Sequence, residues 1–363
     1  MFEKVFTPLE VRGITIPNRI VFPAFQTNYA TRDGFVTERA MKFYRNIAKG
    51  GAGLTLVGCI AVSKDGAGAT NVLQLTDEQH VAGLKKLFQE IKSYGTVAGA
   101  QLIHFGRQTS SSITGHPLVA PSAIPCPVMK ETPRELSEEE ICRIEDDFTN
   151  AALRAKNAGA DMVELHAAFG YLIGGFLSAY SNKRTDKYGG NLENRTRFLK
   201  EIIEKVRSKL QGTLIGCRIC AEEFVDGGLT LEESKKIVLM LADTGIDVIS
   251  VGAGVYQSMN HMVPTKEMGE GPHVYLAAGI KEAVDVPVIC AGNIRNLRFA
   301  QKVIAEGKAD LVAMGRAQVA DPQIVNKSKN ELLNSIVECD WCNRCMYWVT
   351  GEPAMSCPKN PNL

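Results

Sequence analysis

Four cysteines near the end of the chain have a spacing suited to metal chemistry: Cys339, Cys342, Cys345 and Cys357, a C-x2-C-x2-C-x11-C array. Three thiols this close in sequence can face one metal centre, and a fourth from a following loop can complete the shell. Such sets hold a cubane iron–sulfur cluster or a tetrahedral zinc. A cluster would serve electron transfer beside a second redox centre, whereas a zinc would fasten the C-terminus. A second constellation is the pair of glycine turns Gly292-Asn293 and Gly315-Arg316. Backbone amides freed by such turns, with a guanidinium beside them, can hold a phosphate. The other cysteines, Cys59, Cys126, Cys142, Cys217, Cys220 and Cys290, are scattered, several inside apolar runs. They read as buried thiols of a reducing cytoplasm, not as a disulfide framework.

Positioning these groups falls to a series of short apolar runs, each followed by an amphipathic stretch. The expected strands are Ile20–Phe25, Leu54–Cys59, Val97–Phe105, Asp161–Ala168, Leu214–Cys220, Val248–Ala253, Pro287–Gly292 and Leu311–Gly315. Their near-continuous apolar character is that of strands covered on both faces. Helix-start signals fall between them: Thr76 with Gln79, Ser137 with Glu140, Thr230 with Glu233, and Asp321 before Pro322. Eight strand–helix units predict an α/β fold, a TIM (β/α)8 barrel over residues 1–335. A short cysteine-rich metal-binding extension follows over 336–363. A doubly wound open sheet is the alternative, weakened by the count of eight and the lack of a G-x-G-x-x-G turn. Long connections at 106–136 and 171–191 are expected on the catalytic face.

Composition narrows the function classes. The 363 residues carry 41 Lys and Arg against 40 Asp and Glu, with 45% hydrophobic and 22% charged residues. This balance gives no support for nucleic-acid or membrane-surface partners. No apolar run reaches the roughly 18 residues a membrane span needs. The opening Met1-Phe2-Glu3-Lys4-Val5-Phe6 lacks a signal-peptide pattern, so a cytoplasmic location is expected.

On a barrel, side chains at strand C-termini face the active site. These are Gln101, His104, His166, Arg218, the Gly252–Tyr256 run, Asn293 and Arg316, with Phe169 and Tyr171 just past the fourth strand. Here a resemblance enters. Glu164-Leu165-His166-Ala167-Ala168-Phe169-Gly170-Tyr171-Leu172, then Ser181-Asn182-Lys183-Arg184-Thr185-Asp186 and Tyr188-Gly189-Gly190, resembles the central signature of the Old Yellow Enzyme family of flavin ene-reductases. So do Phe6-Thr7-Pro8-Leu9 with Pro17-Asn18-Arg19-Ile20, Gly99-Ala100-Gln101-Leu102-Ile103-His104, and Ala309-Asp310-Leu311-Val312-Ala313-Met314-Gly315-Arg316. The likeness covers essentially the whole chain. The tail, with Asn360-Pro361 after the last thiol, is similar to the 2,4-dienoyl-CoA reductase and bile-acid oxidoreductase branch. There a [4Fe–4S] cluster lies between the flavin barrel and a pyridine-nucleotide domain.

The resemblance implies FMN. Gln101 would pair with the pyrimidine edge, Arg218 would face the N1–C2 carbonyl region, and Gly292, Asn293, Gly315 and Arg316 would hold the phosphate. Pro23, Ala24, Phe25 and Cys59 would line the ring. His166 would hydrogen-bond the substrate carbonyl and Tyr171 would donate a proton, with Tyr256 as a second donor and His261 on the rim. The chain departs from the His-x-x-His or His-x-x-Asn pattern at Phe169, which removes one donor. Phe25 and Thr27 stand where other branches carry a cysteine and a tyrosine. The expected activity is an FMN ene-reductase of activated alkenes, supplied by NAD(P)H, a ferredoxin or a flavoprotein. Its substrate would be bulky and apolar, such as a steroid, bile acid or enoyl thioester, and self-association is compatible with the sequence. The rival reading is a flavin and iron–sulfur electron-transfer subunit. An aldolase-type barrel would want a Schiff-base lysine at a strand end, and none of the eight offers one.

Overall fold

The computed structural model describes residues 2–346 and 353–363, so 347–352 of the cysteine tail lie outside the described residues. Eight parallel strands close into a barrel: Ile20–Phe22, Leu54–Ala61, Val97–Ile103, Met162–Ala167, Leu214–Cys220, Val248–Gly252, Val288–Cys290 and Leu311–Ala313. Closure is made where the first strand pairs with both the second and the eighth. Each expected strand is present; several are shorter at their C-terminal ends, where the chain turns out into loops. Seven of the eight are buried throughout, since side chains fill the barrel and helices cover its outside. The exception is Arg218, which reaches into open space in the fifth.

The covering helices begin where side chains satisfy their free amides. Full capping boxes form at Ser137 with Glu140 and at Thr230 with Glu233. Two expected starts differ. Asp77, not Thr76, caps the turn before the Val81–Lys92 helix, accepting from Gln79 N–H at 2.8 Å. The Thr76 hydroxyl is buried with no hydrogen-bond partner among the described residues. After Asp321-Pro322 the helix runs over Ile324–Lys329, with Asp321 Oδ1 accepting from Gln323 N–H at 3.0 Å.

A hairpin, Leu9–Val11 with Ile14–Ile16, precedes the barrel and was not expected. Arg12 and Gly13 both take positive φ, 47° and 79°, the turn geometry that matches strand twist. Val11 and Ile16 pack with Leu54, Val97, Met162, Leu214, Val248 and Leu311 at the strand N-termini, closing that mouth of the barrel. The opposite mouth is left to the loops. The tail packs onto the barrel: Cys345 and Met355 join the main core. Tyr29 donates to Met355 O at 2.7 Å, and Asn360 Nδ2 to Val319 O at 3.0 Å.

Candidate active site

A cavity of about 1020 Å3, part of it open to solvent, lies at the C-terminal mouth of the barrel. It is lined by Pro23, Ala24, Phe25, Cys59, Gln101, His166, Phe169, Tyr171, Arg218, Gly292, Asn293, Gly315 and Arg316, among others. Every expected cofactor contact is therefore brought to one space. Residues from the first strand, the fourth and the tail meet there only through closure of the barrel.

Local structure fixes each group. Tyr44, on the Glu38–Lys49 helix, accepts from Gly58 N–H at 3.1 Å and donates to Gly58 O at 3.3 Å, which sets the backbone just before Cys59. Burial pushes the Cys59 thiol up to about 12, so it stays protonated and can donate to Gln101 Oε1, 3.6 Å away. Gln318 Nε2, on the Gly315–Ala320 helix, donates to Val21 O at 3.0 Å, tying that helix to the strand that leads into Pro23-Ala24-Phe25.

Two guanidiniums face the cavity. Arg218 donates to Ser250 Oγ at 2.9 Å. Arg316 donates to Pro264 O at 2.8 Å, to Asn343 Oδ1 and to Asn293 Oδ1. These acceptors are all neutral; among the described residues no carboxylate is hydrogen-bonded to either guanidinium, although the buried Glu164 acts on Arg218 through space. Asn293 is held by its own bonds to Thr265 O and Gly269 O, at 2.7 and 2.9 Å. Gly292 has φ 117°, and a Cβ there would stand 2.8 Å from His273 Nδ1. Two cationic groups beside glycine backbone fit an anionic, planar ligand such as FMN.

The catalytic candidates form an aromatic wall. His166 Nδ1 accepts from Ala168 N–H at 3.3 Å, and burial, with the Arg218 charge, lowers its pKa well below the usual value. The ring is therefore neutral with its proton on Nε2, a hydrogen-bond donor. Tyr171 stands edge-on to His166 at 4.8 Å, and burial raises its pKa well above that of a free phenol. Its hydroxyl lies 3.2 Å from that of Tyr256. Tyr256 does not line the cavity; it reaches the site through Tyr171. Thr27 also lies off the cavity wall. Its hydroxyl accepts from Tyr29 N–H and its carbonyl from Met355 N–H, so it docks the tail.

Phe169 has φ 60° and is held by Gln108 Nε2, which donates to its carbonyl at 2.7 Å. Its ring covers the Arg218 guanidinium at 5.3 Å. Gly252 leaves room for that ring, since a Cβ there would come within 3.0 Å of it. The residue that removes a polar donor thus supplies an apolar face above a cation.

Sequence reasoning did not name Gln26, the Met262-Val263-Pro264 segment, Trp341 or Met346, all of which line the cavity. Trp341 is stacked on Arg295 at 4.1 Å. The cysteine tail is therefore one wall of the site. Burial lowers the pKa of the Arg316 guanidinium, and the nearby Cys345, Cys339 and Cys342 oppose that. Trp341 N–H points at Cys339 Sγ from 3.4 Å. Among the described residues no group of three or more ligating side chains stands at metal-holding spacing. His261, expected on the rim, stacks on Phe224 at 3.7 Å. Among the described residues no helix is long and apolar enough to cross a membrane.

Residues 4–334 match the NADH:flavin oxidoreductase / NADH oxidase family. An NADH oxidase of Thermoanaerobacter brockii is 43% identical over 345 residues, covering 94% of this chain and 53% of that protein. An NADPH dehydrogenase of Bacillus subtilis is 35% identical over 339 residues, covering 93% of this chain and 97% of that protein. The structure of 2-naphthoyl-CoA reductase with 2-naphthoyl-CoA superposes with a TM-score of 0.95 at 32% identity, over 99% of this chain and 57% of that one. The chain spans about half the length of the first curated relatives it matches.

Proposed function

The chain belongs to the NADH:flavin oxidoreductase / NADH oxidase family, and from that premise we propose that its barrel is an FMN-dependent ene-reductase acting on alkenes conjugated to a carbonyl. One observation carries the reading. A single cavity wall presents an N–H donor on neutral His166 and a retained proton on Tyr171, beside two guanidiniums bonded to neutral acceptors.

Bound FMN would supply hydride to the alkene β-carbon. Arg316 and Asn293 would hold its phosphate, and Gln101 and Arg218 its pyrimidine end. His166 Nε2–H donates to the substrate carbonyl, stabilising the oxygen as negative charge develops. Tyr171 gives its proton to the α-carbon. The Tyr256 hydroxyl, 3.2 Å from that of Tyr171, helps to keep Tyr171 protonated until that transfer. Phe169 offers a flat apolar face where a polar group would otherwise stand, favouring a bulky substrate such as a steroid, a bile acid or an acyl thioester. The bound 2-naphthoyl-CoA in the reductase of matching fold supports that class.

Cys339, Cys342, Cys345 and Cys357 would be the ligands of a [4Fe–4S] cluster, although as described they do not stand at metal-holding spacing; bound there, it would supply electron transfer between the flavin and NAD(P)H, a ferredoxin or a flavoprotein in a cytoplasmic protein. The place of Trp341 and Met346 in the cavity wall supports electron passage beside the flavin. It also keeps the second reading, an electron-transfer subunit without its own small substrate.

The test is anaerobic purification, with the visible spectrum, iron, zinc and acid-labile sulfide measured. Dithionite-reduced protein is then mixed with cyclohexenone and with a fused-ring enone. Flavin reoxidation by the fused-ring enone, faster than by cyclohexenone, is expected. Absence of flavin, or reoxidation by neither alkene, sinks the ene-reductase; zinc without iron replaces the cluster with a structural clip.

A further inference from the structure

Glu164 is fully buried below the cavity, and none of the steps above uses it. It is the direct register partner of Gln101 across the third and fourth strands. Gln101 Nε2 donates to Glu164 Oε1 at 2.6 Å, and the Ser250 hydroxyl also acts on the carboxyl, although Oε2 meets no partner at hydrogen-bonding geometry among the described residues. On its other side the register partner is Gly216, which brings no polar side chain. A fully buried carboxyl weakens a fold that an apolar residue would strengthen, so stability does not explain it.

Its geometry does explain the state of Gln101. A side-chain amide can be turned either way round, exchanging oxygen and nitrogen. A carboxylate only accepts, so Glu164 holds Gln101 with its nitrogen inward. The Gln101 oxygen is then left on the Cys59 side, where the thiol donates to it from 3.6 Å. Gln101 thus offers the cavity an acceptor oxygen and one remaining N–H. That pair complements an imide N–H flanked by carbonyls, the pyrimidine edge of a flavin. Arg218 is the cation acting most strongly on Glu164, opposing the burial that pushes the carboxyl up.

We infer that Glu164 is a positioning residue for the cofactor: it fixes the orientation of the Gln101 amide and supplies a negative counter-charge to Arg218, which holds the flavin reduction potential down. This rests on the FMN reading above.

The experiment reconstitutes wild type, Glu164→Gln and Glu164→Met with FMN. It measures the FMN Kd by fluorescence quenching, the midpoint potential by dye-linked titration, and apoprotein melting. Glu164→Gln keeps an acceptor but loses the charge. Its Kd should stay near that of wild type while its potential moves positive. Glu164→Met loses the acceptor, and its Kd should rise by about tenfold, one hydrogen bond's worth. Unchanged potential in Glu164→Gln overturns the counter-charge, and unchanged Kd in folded Glu164→Met overturns the orientation. If Glu164→Met does not fold, the potential of Glu164→Gln decides alone. A wild type that binds no FMN overturns the cofactor reading itself.

Discussion

Tyr171 keeps its proton because burial and the neighbouring Tyr256 both oppose phenolate formation. That makes it a donor whose loss should be visible in one half-reaction only. In Tyr171→Phe, reoxidation of the reduced flavin by an alkene should slow by about 10²-fold, the low end for general acid catalysis. Reduction of the flavin by its donor should stay unchanged, and stopped-flow absorbance separates the two. Equal reoxidation rates in variant and wild type would transfer the role to solvent. A second residue-scale prediction concerns pH. Glu145 is buried beside Lys205 at 3.0 Å, and burial, with Glu201 next, pushes its carboxyl up to about 7. The folded state therefore holds this proton more tightly than the unfolded chain does. The stabilisation is fully present below about 4.5, the unfolded carboxyl value, and is lost as pH rises through about 7. Glu145→Gln, which mimics the protonated acid, should gain on wild type across that window, by on the order of 1 kcal/mol after Lys205 and solvent screening. Parallel melting curves of the two proteins at pH 5 and pH 8 would show that no such shift exists.

Among the elements, the helices carry the clearest local logic. The Leu231–Leu241 helix starts at Thr230, whose hydroxyl accepts from Glu233 N–H at 3.3 Å, and Glu233 reaches back to Thr230 N–H at 3.4 Å. Glu233 also pairs with the buried Arg195 at 2.8 Å, so this cap ties two neighbouring helices. Thr230→Ala should cost about 1 kcal/mol. Glu233→Ala should cost more, because it also leaves a buried guanidinium without its anion. Urea melts of the two variants check the order, and a larger loss in Thr230→Ala would contradict it. Strand ends differ in kind from helix ends. They stop early at the catalytic mouth because Phe169, Gly292 and Asn293 all take positive φ, which turns the chain away from the ladder. Those same turns aim the side chains that line the cavity.

For the whole molecule, the cavity and the tail are one construction. Arg316 is bonded both to Asn293 on the seventh-strand turn and to Asn343 in the tail. Arg316→Ala should therefore weaken FMN retention by roughly 1.5–3 kcal/mol through loss of a charge-assisted contact. It should also loosen the tail, read as faster proteolysis there. Full flavin occupancy with unchanged affinity would remove Arg316 from the phosphate site. Cys342→Ser is the complementary change. If the tail holds the cluster proposed above, this variant should lose iron and sulfide while the barrel retains FMN, since the proposed FMN contacts lie on barrel residues. Loss of both groups together would show that the tail supports the barrel's cofactor site more strongly than its contacts indicate.

The eight strands were legible in the chain because each is an apolar run short enough to be a strand and bounded by turn residues. Ser137 and Thr230 were legible because capping is local. The expected cofactor residues Gln101, Arg218 and Arg316 followed from strand ends and from family resemblance, and all three line the one cavity. Other features depended on distance through space. The Val11 and Ile16 hairpin needed the open barrel mouth it closes. Thr27 could be placed on the tail side only once Met355 was seen bonded to it. Tyr256 proved to stand behind Tyr171, a relation set by the packing of two loops 85 residues apart. Glu164 looked like one letter of a motif, and its bond to Gln101 exists because two parallel strands pair in one register. Sequence determined what each segment is, since helix, strand and cap preferences act over a few residues. Tertiary structure decided what each side chain faces, since burial, charge and hydrogen-bond partners are supplied by segments far away in the chain.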